Sequence, residues 1–143
     1  MKKSISITAL FFILLFVACN KKDTATSKTE LLTSGTWKLT AVVADEDGNG
    51  TYETDRFATF LPCFIDNIWS FGASSVGTMD EGPTKCNPAD PQTETYTWQL
   101  TQNETYLKID NDEWKLEELT TSTLKWKEEY SGGRSAIGTF TKR

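Results

Sequence analysis

None of the 143 residues is histidine, which removes the imidazole general base, the serine and cysteine triads that depend on it, and most zinc sites. Chemistry in this chain must therefore come from carboxylates or sulfur. The stretch Asp45-Glu46-Asp47-Gly48-Asn49-Gly50 reproduces the first half of a calcium loop, in which hard oxygens alternate along the backbone and a glycine allows the sharp turn. Its candidate ligands are Asp45, Asp47, Asn49 and, one place before the loop's twelfth position, Asp55; the twelfth position itself holds Arg56 in place of a bidentate glutamate. The plainer reading is an Asp/Asn/Gly turn between strands. Carboxylate pairs also occur at Asp80-Glu81, Asp110 with Asp112, Glu117-Glu118 and Glu128-Glu129. A glycosidase needs two carboxyls about 5 to 10 Å apart across a cleft, whereas adjacent residues on a strand point to opposite faces. No catalytic residues are assigned, and the expectation is a protein that is not an enzyme.

The sulfur chemistry divides in two. Met1-Lys2-Lys3, the apolar run from Ile5 to Val17 and the small Ala18 before Cys19 read as a lipoprotein signal peptide. The run is shorter than the roughly 20 residues of a membrane span. Residues 1–18 are thus expected to be removed, leaving Cys19 lipidated with palmitate-like acyl chains. Two or three such chains, at ~0.8 kcal/mol per buried methylene, anchor a protein stably. The expected location is the cell envelope, and the outer membrane in particular, because Asn20 replaces the aspartate associated with inner-membrane retention. Cys63 and Cys86 then remain as an even pair in an oxidising compartment, where a disulfide is expected. Two free thiols are the alternative, without CxxC spacing or histidine partners.

Loss of Lys2 and Lys3 with the leader takes the net charge from −5 to −7. Phosphate neutralisation needs clustered Lys and Arg, so nucleic acid is excluded as a partner. Residues 19–30 are polar and without apolar pattern, as a solvated tether would be. Residues 31–143 suffice for one core.

Within that domain, alternation of apolar and polar residues predicts eight strands: Thr36 to Val43, Asn67 to Phe71, Ser75 to Met79, Glu94 to Leu100, Thr105 to Ile109, Glu113 to Leu119, Thr123 to Tyr130 and Ser135 to Lys142. On the first, Trp37, Leu39, Ala41 and Val43 share a face. Short links such as Asp110-Asn111-Asp112 and Ser131-Gly132-Gly133-Arg134 make neighbours antiparallel. The fold class is all-β, an eight-stranded antiparallel up-and-down barrel that removes its own edges, with a β-sandwich as the competing closure. One short helix is expected from Asp55 to Leu61, before Pro62. The inward aromatics can fill a core or line a cavity; Tyr96, Trp98, Trp114 and Trp126 are the candidate cavity residues.

Gly35-Thr36-Trp37, opening the first strand directly after the tether, matches the Gly-x-Trp signature of lipocalins. The order Cys63, Asp66-Asn67, Trp69-Ser70-Phe71, Gly77-Thr78, Thr84-Lys85-Cys86 and Trp98 resembles the lipocalin-like domains of bacterial lipoproteins. The resemblance implies that Trp37 packs across the closed end of the barrel and that a basic residue of the last strand covers it, with Lys142 and Arg143 as candidates and Arg134 further off. It implies non-enzymatic binding of a small apolar or amphipathic ligand at the open end. The alternative is a protein-interaction or inhibitor module with a solid core, contacting its partner through the loops from Asp45 to Asp55 and Asp80 to Thr93.

Overall fold

The computed structural model describes residues 26–143. The segment read as a leader at 1–18, Cys19, read as the lipidation residue, and the expected tether as far as residue 25 lie outside the described residues. Helix α1, Lys28–Thr33, starts inside the segment read as tether. Its signal is a capping box. The Ser27 Oγ accepts from the Glu30 N–H at 3.1 Å, and the Glu30 carboxylate accepts from the Ser27 N–H at 2.8 Å, which satisfies two of the orphan donors of the first turn. The domain therefore begins before residue 31, and Leu32 of this helix is wholly buried.

Nine strands follow: β1 Thr36–Asp45, β2 Thr54–Asp55, β3 Ile68–Phe71, β4 Val76–Asp80, β5 Thr93–Thr101, β6 Tyr106–Ile109, β7 Asp112–Leu119, β8 Thr123–Glu129 and β9 Ser135–Lys142. All eight expected strands form. The ninth, β2, is a two-residue addition on the far half of β1, pairing Val43 with Asp55 and Ala44 with Thr54. Every pairing is antiparallel, and the order runs β1-β3-β4-β5-β6-β7-β8-β9 before returning to β1. The ladder thus closes into a ring and leaves only the short β2 at an edge, which is how an up-and-down sheet protects its backbone hydrogen bonds.

The face assignment on β1 needs correction. Trp37 and Leu39 point inward as expected, but the register against β9 shifts between Leu39 and Ala41. That bulge leaves Thr40 as the extra residue and reverses the alternation beyond it. Val42 and Ala44 are buried in place of Ala41 and Val43. Thr40 turns out, its hydroxyl 3.0 Å from that of Thr141.

The helix expected from Asp55 to Leu61 is also displaced. Phe57–Thr59 form a single 3₁₀ turn, and helix α2 spans Pro62–Ile65. Proline opens the helix rather than following it, because its fixed φ suits a first turn that has no use for its N–H. It also drives the preceding Leu61 to an extended conformation, ψ 146°. No helix among the described residues is long and apolar enough to cross a membrane.

Candidate ligand-binding site

The registers define two ends of the ring. One carries α1, the start of β1, the end of β9 and the β5–β6 turn. The other carries the end of β1, α2, the β4–β5 loop and the β8–β9 turn.

The first end is solid. Trp37 has no exposed surface, and its indole N–H donates to the Leu32 carbonyl at 2.9 Å. Lys142 Nζ sits 5.7 Å from the Trp37 ring centroid and donates to the Ser34 hydroxyl. Lys142 is therefore the covering base. Arg143 instead gives its N–H to the Thr36 carbonyl, and Arg134 lies at the opposite end. A Cβ at Gly35 would come within 2.6 Å of the Lys142 side chain, so a larger residue there would push the covering lysine aside. Above this plug the core continues through Tyr96 and Trp98. The Tyr96 hydroxyl donates to the Ser70 carbonyl at 2.8 Å, and the Trp98 N–H to that of Gly72 at 3.0 Å. Burial, then the nearby Asp110 charge, push the Tyr96 hydroxyl well above its ordinary value. Its ring lies over Gly77, where a Cβ would be 2.3 Å from it.

The second end opens on an apolar cavity of about 530 Å³. Leu39, Val42, Phe60, Phe64, Trp69, Met79, Trp126 and Phe140 form most of the wall. Trp126 is held in place by Phe140, 4.1 Å between ring centroids, and by Trp114, stacked at 5.2 Å. Of the four residues expected to line a cavity, Trp126 does so. Trp114 stands behind it, and Tyr96 and Trp98 belong to the packed core. Strand alternation tells inward from outward, yet carries nothing about height along the ring, which is why the four were grouped. Cys63 and Cys86 are joined in a disulfide, Cα–Cα 5.1 Å, and both line the cavity. The bridge ties α2 to the β4–β5 loop across the mouth.

Polar groups sit among this apolar wall. Asn67, Glu81, Asp90, Glu128 and Tyr130 line the same cavity. The Tyr130 hydroxyl donates to Glu128 at 2.7 Å. Burial first, then that hydrogen bond, push it up to about 12. A second, more polar cavity of about 580 Å³ shares Val42, Phe60, Tyr130 and Ala136 with the first and is walled by Asp45, Glu46, Arg56 and Arg134. Arg56 is paired with Glu46, whose carboxyl is held low by the hydrogen bond from Arg56.

The four candidate calcium ligands are each turned to local amides. Asp45 accepts from the N–H groups of Gly48, Asn49 and Gly50 at 2.8, 3.1 and 2.9 Å. Asp47 accepts from Asn49, Asn49 from Thr51 and Asp55 from Phe57. Among the described residues, no group of three or more His, Cys, Asp or Glu side chains is placed to hold a metal. Burial raises the Asp45 carboxyl, but the three amides outweigh it and hold it below the usual range.

Sequence reasoning missed Phe60, Phe64, Met79 and Glu81. The signal available was the apolar enrichment of Phe57 to Ile65 between two polar turns, too dense for a solvated loop.

A closed antiparallel ring with one end plugged and the other opening on an apolar cavity defines a cup-shaped β-protein suited to small-ligand binding. A family model for the lipocalin-like domain matches residues 33–126, and the chain belongs to that family. Its members are typically binding proteins rather than enzymes. A solved structure of a lipocalin-like protein from Bacteroides uniformis ATCC 8492 is similar, with 16% identity and a TM-score of 0.47, covering 79% of this chain and 99% of that one. No curated protein matches the chain.

Proposed function

We propose that this chain is a non-enzymatic binding protein of the cell envelope, anchored by lipid at Cys19, that takes a small apolar or amphipathic molecule into the open end of its ring. The observation that carries the reading is the 530 Å³ apolar cavity above a solid base, a volume within the range of small-molecule sites. The anchor rests on the leader sequence alone.

Trp69 and Trp126 lie in the cavity wall, so a ligand such as dodecanol should quench the intrinsic fluorescence saturably, and Trp126→Phe should remove much of the change. Unaltered emission across the titration overturns the binding role. For the anchor, labelled palmitate should enter the wild-type chain in a bacterial host and not the Cys19→Ala variant; an unlabelled wild type overturns it.

A further inference from the structure

We infer that, within this binding role, the cavity selects a ligand with a cationic head, an amine on an apolar tail, over one with a carboxylate head. The inference rests on the binding role proposed above and on three observations about the wall.

First, the charged residues lining the cavity are Glu81, Asp90 and Glu128, and among the described residues that line it none is Lys or Arg. A fourth anion brought among three carboxylates is repelled, and a cation is attracted. The nearby guanidinium groups, Arg56 and Arg134, line the adjoining polar cavity instead, and Arg56 is paired with Glu46.

Second, Glu81 is only 8% exposed, and its Oε2 is buried with no hydrogen-bond partner among the described residues. Glu128 and Asp90 differ, since they accept from Tyr130 and from the Asn87 side chain respectively. The Asn67 amide, once its oxygen and nitrogen are exchanged to suit its neighbours, donates to the carbonyl oxygens of Cys63 and Glu81 at 2.9 and 3.2 Å and gives nothing to the Glu81 carboxylate. A buried acceptor without a donor is costly. The terminal torsion of a glutamate is soft, so a modest turn presents that oxygen to an ammonium in the cavity.

Third, the same cavity wall carries aromatic rings. Trp69, Trp126 and Tyr130 offer ring surface, which attracts cations and does nothing for anions. Carboxylate and aromatic ring together are the chemistry that recognises an amine head.

The test uses the full mature chain and three twelve-carbon probes, dodecylamine, dodecanol and dodecanoate, each below its micelle threshold, followed by tryptophan fluorescence at neutral pH. Dodecylamine should bind at least about tenfold more tightly than dodecanol, the factor one charge-assisted hydrogen bond supplies, with dodecanoate the weakest. Glu81→Gln should bring the amine down to the alcohol, read as the ratio of the two affinities within the variant, and its urea unfolding transition reports that the variant is folded. If that variant fails to fold, the wild-type ranking decides, with Glu128→Gln as the second variant, expected to narrow the amine-to-alcohol affinity ratio. Equal binding of amine and alcohol, or tighter binding of dodecanoate, overturns the head-group assignment and leaves the cavity reading intact. Failure of all three probes overturns the cavity reading itself.

Discussion

Replacing both bridged cysteines, Cys63→Ala with Cys86→Ala, should cost the domain about 3 kcal/mol. The bridge closes 23 residues, and releasing a loop of that length returns about that much conformational free energy to the unfolded chain. Cys63 is 7% exposed, and alanine keeps most of its volume, so the packing loss adds little. For a domain of this size, about 3 kcal/mol corresponds to a fall in Tm of roughly 10 °C. Urea unfolding followed by tryptophan emission measures the loss, and the wild type unfolded under reducing conditions should match the variant. The bridge also pins α2 over the cavity, so dodecanol affinity should fall in the same variant. A doubly substituted chain within about 1 kcal/mol of wild type, with reduced wild type equally unmoved, would refute the reasoning that this loop is constrained by its cross-link.

The two ends of the ring should respond independently. Leu32→Ala removes a wholly buried side chain from the plug and should cost about 2 to 4 kcal/mol in urea unfolding, while dodecanol quenching persists in the folded variant; lost quenching at full folding contradicts the separation. Asp45 supplies a pH test. Its carboxyl is held below the ordinary 3.8 by the amides of Gly50, Gly48 and Asn49, which outweigh burial, so the stability it contributes is complete above that ordinary value and disappears as pH falls through the lowered one. Asp45→Asn should flatten acid unfolding below about pH 4; an acid limb as steep as the wild type's argues against the amide cage.

The strand pattern was largely legible because half-buried strands write themselves as alternation, and β5 does so cleanly through Tyr96, Trp98 and Leu100. Gly35 and Trp37 were legible as well, and Lys142 lies close to both, beside the glycine and over the indole. The bulge at Thr40 was not, since it depends on how β9 lies beside β1 and leaves no local mark. α1 had its mark, Ser27 and Glu30 flanking the first turn before Leu31-Leu32, which the polar surroundings obscured. The cavity was the least legible element. It exists because α2 and the β4–β5 loop, joined through sulfur, arch over inward faces that narrow to a plug only at the other end. That geometry is set by tertiary closure, to which periodicity is blind.

The placement of α1 bears on how the molecule would stand at a surface. Residue 26 leads into the plugged base, and only six residues lie between it and Cys19, a reach of about 25 Å at full stretch. A protein moored there would keep its base toward the bilayer and its mouth turned outward, so cargo would arrive from the aqueous side and the host leaflet would be poorly placed to load it. With Cys19 lipidated as proposed, so short a leash would also restrict tumbling and bias capture toward whatever diffuses past the membrane.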